Sequence, residues 1–338
     1  MRTPFEATIL FRRLLAGCHG APLLALLLVC WLLSAAGASA EPAAALTADT
    51  PPAAPESLAL PPSGQRGVDQ KGGATWAELE PGLELGEFRF SDSEASLTAL
   101  RIDPARFDFL LCASSQDGRP PRSLNDWGEQ YDLTVAINAS MYLPDGSTST
   151  GYMRQGGHIN NKRLVQRFGA FFVAGPDSAD LPPAAILDRD NPQWRRIIDR
   201  YALVVQNYRM INAQRRILWA PGGPLCSISA VAQDGDGRIL FLHCRASVEA
   251  YAFAQQLLHL PLDVRTVMYV EGGAQAGLLV RSISLRRELA GSHAPSFLMT
   301  GNLTALLPNI LGARRKADAS APAGGKATAP AGQPVQNQ

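Results

Sequence analysis

The chain is poor in lysine, poor in charge, and holds no apolar run of comfortable bilayer length. Four of its 31 basic residues are lysines (Lys71, Lys162, Lys316, Lys326), and charged residues make up 18% of the 338, below the usual quarter. With 31 basic against 30 acidic residues the formal charge is +1. That excludes a general nucleic-acid or polyanion binder, because affinity for a phosphate backbone needs a marked positive surplus. The arginines are scattered along the sequence, and their excess over lysine reads as genome composition. His158, His243, His259 and His293 show no metal-ligand spacing, which argues against zinc. No Gly-x-Ser-x-Gly, phosphate loop or dinucleotide fingerprint occurs, and no cofactor is implied. A calcium or magnesium ion on Asp145 or Glu271 stays open, since oxygen ligands leave little trace in sequence.

The two ends lack what a core requires. Residues 1–40 begin with Arg2, Arg12 and Arg13, continue through an apolar run of about 13 residues (Ala21 to Leu33) and close on Ala38-Ser39-Ala40. That is the order of a secretory signal, and the run is short for a hydrocarbon layer of roughly 30 Å. The expectation is an exported protein, periplasmic or extracellular, with no stable membrane span once mature; a retained anchor is the alternative. Residues 41–75 and 313–338 are rich in Pro, Ala and Gly, and such stretches bury too little apolar surface to offset their ordering entropy. They are expected to be a linker and a disordered tail around one domain, residues 76–312.

Within that domain the pattern predicts an α+β fold: a mixed, mostly antiparallel sheet packed by a few helices. Strands are expected at 97–102, 107–111, 134–137, 169–173, 201–205, 216–219, 227–231, 239–243 and 267–270. The Asp234-Gly235-Asp236-Gly237 turn joins 227–231 to 239–243 as a hairpin. Folding there sets Cys226 and Cys244 nearly opposite, as a cross-strand disulfide or as two small buried thiols. A helix is expected from Ser247, its cap, to Leu258, with Pro261 beyond. His243 lies in a strand and reads as a core residue.

Two strand exits carry the functional signal. One is Ala136-Ile137-Asn138-Ala139-Ser140-Met141-Tyr142, followed by Asp145-Gly146. Its small residues let the backbone approach closely, and Asn138 offers a fixed amide. The other is Val270-Glu271-Gly272-Gly273-Ala274-Gln275, a carboxylate before a flexible turn whose N–H groups can form an anion-binding nest. Sites often form where strand ends meet loops on a sheet rim. Both segments also read as ordinary turns.

The order of these segments resembles the phosphodiester glycosidase family. Residues 136–142 resemble its Asn-bearing segment, Gly151 to Gly156 its next strand, Ser229 to Gly237 its Thr-bearing strand and turn, and Val270-Glu271-Gly272-Gly273 its Asp-Gly-Gly loop. The likeness runs from Trp76 to Arg281. Glu271 stands where the family has Asp, Ala139-Ser140 where it has glycines, Ser229 where it has Thr, and Ile228 where it has an Arg suited to gripping phosphate. The resemblance implies hydrolysis of a phosphodiester-linked sugar or envelope glycan. Glu271, then Asp145, would serve as catalytic carboxylates; Asn138 would orient the substrate. Tyr142, Ser229, Gly272, Gly273 and Arg154 would bind it. The alternative is a non-catalytic glycan binder that keeps the fold.

Overall fold

Residues 76–292 and 305–317 are described by the structure, a computed structural model. The expected signal segment (1–40), the linker (41–75) and most of the expected tail lie outside them. The described residues belong to one compact unit. In chain order the strands are β1 Ala77–Glu80, β2 Leu83–Arg89, β3 Ser96–Ile102, β4 Phe107–Ala113, β5 Val135–Asn138, β6 Met153–Gln155, β7 His158–Asn161 and β8 Ala170–Pro176. They continue with β9 Ala184–Asp188, β10 Tyr201–Ile211, β11 Leu225–Asp234, β12 Ile239–Glu249, β13 Val264–Gly272, β14 Gly277–Arg281, β15 Arg286–Ala290 and β16 Asn309–Arg315.

The larger sheet runs β1-β2-β3-β12-β11-β13-β10-β6-β7, with β8 on β10 and β9 on β8; the smaller runs β15-β14-β5-β16-β4. Side-chain alternation shows how they stack, because successive residues of a strand face opposite ways. Val135 and Ile137 of β5, Leu278 and Val280 of β14, and Val231 and Phe241 of the larger sheet share one core between the sheets. Phe109 meets Phe172 and Phe241 edge-on within it. Ala136 and Leu279 turn outward under Trp127 of the helix Leu124–Gln130. Ile228, Ala230 and Leu242 turn the other way, under Phe253 and Leu257 of the helix Ala250–His259. The order is therefore helix, large sheet, small sheet, helix.

Several expectations need correction. The fold is richer in sheet than a balanced α+β domain, and every strand pairing among the described residues is antiparallel, not mixed. Arg216 to Trp219 makes only an isolated bridge, Ile217 to Ile211. The helix starts at Ala250, because the ladder of β12 holds residues through Glu249; Ser247 is in that strand and caps nothing. Residues 313–315, given to the tail by composition, end β16 and pair with β4. The hairpin forms, but a bulge sets Cys244 opposite Ile228 and Cys226 opposite Val248. Both cysteines are free thiols, with Cys244 buried and Cys226 partly so.

Candidate active site

The loops after Ile137 and Val270 meet. The Asn138 side-chain amide donates to the Gln275 carbonyl oxygen at 2.9 Å, and its oxygen accepts from the Gly277 N–H at 2.8 Å. Both halves of one carboxamide thus tie β5 to the loop that follows Glu271. Asn138 is itself buried. Beyond it, the Ala139 carbonyl accepts from the Asn207 side chain at 2.9 Å, and the Ser140 N–H donates to the Asn309 side chain at 3.2 Å. Two asparagines, from β10 and β16, therefore hold Ala139-Ser140 in place. Asn207 Oδ1 and Asn309 Nδ2 are buried without a partner.

Glu271 sits at a bulge of β13, where Ser229 of β11 faces it. Its side chain is 7% exposed, and Oε1 accepts from the Gly272 N–H at 2.8 Å. Burial pushes its carboxyl up to about 7, opposed by that one N–H. Desolvation disfavours the charged form, so this acid stays protonated to near neutrality. Gly272 has no room for a Cβ, which would strike the Tyr269 hydroxyl and approach Cys226 Sγ to 3.2 Å. Gly273 has φ +70°, a left-handed conformation that glycine adopts without steric cost. The Gly272 N–H is engaged by Glu271, so it is not free for an anion-binding nest.

The register extends Glu271 into a polar row. Ser229 faces His243, His243 faces Thr98, and Thr98 faces Glu87, across β13, β11, β12, β3 and β2. Ser229 Oγ lies 3.3 Å from His243 Nδ1 and donates to the Gly277 carbonyl at 3.2 Å. Thr98 donates to Glu87 at 2.9 Å. Burial first, then the charges of Arg245 and Arg287, push His243 down to about 4, so it is neutral. His243 Nε2 is buried without a hydrogen-bond partner.

Tyr142 joins this site: its hydroxyl bonds the Gln275 side chain, and burial followed by the Glu271 charge raises its pKa. Asp145 is placed otherwise. It is exposed in the turn after Tyr142, where its carboxylate accepts from the Ser147 and Thr148 N–H groups at 2.9 and 2.8 Å. Those bonds, with the Thr148 hydroxyl first, hold its pKa below the usual value. Arg154 is also elsewhere, donating to the Ile198 and Tyr201 carbonyls at 2.7 and 2.9 Å. Ile228 is buried under the helix Ala250–His259, on the opposite face from Ser229. Among the described residues no group of three or more His, Cys, Asp or Glu side chains gathers to hold a metal ion. No helix among them is long and apolar enough to cross a membrane.

Sequence reasoning missed Gln275, Asn207 and Asn309. The asparagines stand in strands of ordinary appearance, and only their unusual burial in an apolar setting marks them.

A two-sheet domain with a buried carboxyl held over a strand-end loop is the class defined so far. A family profile of the phosphodiester glycosidases matches residues 131–312, which cover the Asn138 segment, Ser229 and His243 of the polar row, and the Glu271 loop. The chain belongs to that family. It is similar in fold to the zebrafish N-acetylglucosamine-1-phosphodiester alpha-N-acetylglucosaminidase catalytic domain, auto-inhibited by its pro-peptide. That similarity has 11% identity over 69% of this chain and 83% of that one, with a TM-score of 0.48. A hypothetical protein from Synechocystis gives 13% identity over 69% and 62%, with a TM-score of 0.47. A putative exported protein from Burkholderia pseudomallei gives 9% over 66% and 75%, also with a TM-score of 0.47. No curated protein matches the chain.

Proposed function

We propose that this protein is an exported hydrolase that releases a sugar from a phosphodiester or an envelope glycan, with Glu271 as its acid. The observation that carries this reading is a buried carboxyl with a pKa near 7 on a loop clamped by Asn138. A general acid works best when its pKa lies near the working pH. Water forms the new bond to the anomeric carbon as the carbon–oxygen bond to phosphate breaks. Glu271 gives its proton to the departing phosphate oxygen, and the attacking water loses its own to solvent. Asn138 positions the loop, since its amide is occupied within the protein. Tyr142 offers an aromatic face beside Glu271, and Ser229 supports the same loop through Gly277. Asp145 reaches the reaction only if its turn moves toward Glu271.

The test is turnover of an aryl glycoside and of a sugar phosphodiester by the purified protein beside Glu271→Gln. Activity in the wild type and its loss in the variant support the reading; equal turnover removes Glu271 from the mechanism. A glycan-binding role without catalysis is the second reading. It is favoured by the low exposure of Glu271 and by the engagement of Arg154 with backbone carbonyls. Binding of the same ligands with no turnover would select it. Export is tested separately, by mass spectrometry of the mature N-terminus, with cleavage after Ala40 expected.

A further inference from the structure

The smaller sheet has two unlike ends. At one, β5 closes on Asn138, β14 opens on Gly277 and β16 opens on Asn309. At the other, β14 closes on Arg281, β15 opens on Arg286, and β16 closes on Arg314 and Arg315. The two ends of β5 are three residues apart, roughly 10 Å at the rise of a strand. Arginines scattered in the sequence are thus gathered where three strand ends meet.

They line one open cavity of about 310 Å³, together with Glu80 and Asp132. Arg315 pairs with the buried Glu80. Arg281, Arg286 and Arg314 form no ion pair among the described residues. Asp108 faces Arg314 across the ladder without forming one. The Arg281 Nε is buried and unpartnered, and the side chain's only hydrogen bond among the described residues is a long one, from Nη1 to the Leu133 carbonyl at 3.5 Å. Four guanidinium groups around one cavity repel each other, and two carboxylates offset only half of that charge. A guanidinium presents a planar fork matched to phosphate oxygens.

We propose that this end of the smaller sheet is an anion-binding site for a phosphate group, separate from Glu271 and independent of any catalysis there. The phosphate can belong to a soluble ester or to a lipid headgroup, and the experiment distinguishes the two. Inorganic pyrophosphate is titrated calorimetrically into the full chain at low salt, beside the double variant Arg286→Gln/Arg314→Gln and the single variant Arg286→Gln. Arg163→Gln, an exposed arginine outside the cavity, is the control. Saturable binding is expected in the wild type and the control, weakened at least about tenfold in the double variant and less in the single one. Unfolding temperatures are measured for each; should the double variant unfold, the single variant decides. Co-sedimentation with phosphatidic acid vesicles but not with phosphatidylcholine vesicles, competed by pyrophosphate, assigns the phosphate to a lipid. Pyrophosphate binding without vesicle binding assigns it to a soluble ester. Absence of saturable binding to either probe overturns the proposal, as does equal loss of binding in the Arg163 control.

Discussion

Asn138 and Gly277 are joined by a 2.8 Å hydrogen bond from the Gly277 N–H to the Asn138 side-chain oxygen, so the strand before one loop fixes the residue that ends the other. The amide's other half holds Gln275. The Glu271 loop is therefore positioned from outside its own strand.

Removing that clamp is expected to cost stability and activity together. Asn138→Ala deletes one buried and one partly buried hydrogen bond and strands the Gly277 N–H, a loss of roughly 2–3 kcal/mol. Asn138→Asp keeps the acceptor for Gly277 but loses the donor to Gln275, and buries a charge. Both should lower the denaturant midpoint and reduce turnover. Wild-type stability in either variant would show that the clamp has no energetic role.

Glu271 and His243 are displaced in opposite directions by burial. Glu271 rises from 4.5 to about 7, and His243 falls from 6.5 to about 4. Between about pH 4.5 and 6.5 the unfolded chain carries the proton on the histidine, and the native protein carries it on the glutamate. Alone, Glu271 makes stability fall as pH rises through that window toward 7. Alone, His243 makes stability fall as pH drops from 6.5 toward 4. Each effect is on the order of 3 kcal/mol when complete. Opposed, they leave the wild type nearly flat there. Chemical denaturation should show stability rising with pH in Glu271→Gln and falling with pH in His243→Gln. Three flat curves would contradict the assigned burial of both groups.

The cysteines give a labelling prediction. Cys112 and Cys244 are buried, and burial pushes their thiols up to about 12 and about 11. Since the thiolate is the reactive form, a short exposure of native protein to iodoacetamide should modify Cys226 ahead of both, as read by peptide mass spectrometry. A Cys226–Cys244 disulfide in the oxidised protein would refute the observed register.

Gly291 marks a close approach to the site. A Cβ there would collide with the Gly273 carbonyl oxygen and come within 3.0 Å of Ser227 Cβ. Gly291→Ala must move the Glu271 loop or its own segment, so turnover should fall with a smaller change in unfolding temperature. Unchanged kinetics would mean that the loop tolerates displacement.

Much of the sheet was legible because its cores repeat every second residue. The runs 227–231, 239–243 and 267–270 each lie within a strand, and 134–137 is met by β5 one residue later, at Val135–Asn138. Short or polar strands such as β7 (His-Ile-Asn-Asn) and the partly exposed β15 carry no such pattern. The Asn138 and Glu271 segments also stood out, since Asn followed by small residues and Glu followed by two glycines are unusual at the ends of apolar runs. Asp145 and Arg154 were indistinguishable from site residues in sequence, because a turn aspartate and a strand arginine look the same whatever they bond.

The sequence by itself determined the strand-forming runs, the turn at Asp234, the cysteine supply and the family motifs. These depend on local periodicity and on short spacings. Only the tertiary structure decided that Asn138 grips the Glu271 loop, that five strands line up Glu87, Thr98, His243, Ser229 and Glu271, and that four arginines meet at one sheet end. Those relationships come from ladder register between separate segments, some of them, like Asn138 and Gly277, far apart in sequence. Register is set by which faces are buried across the whole sandwich, and no local stretch contains that information.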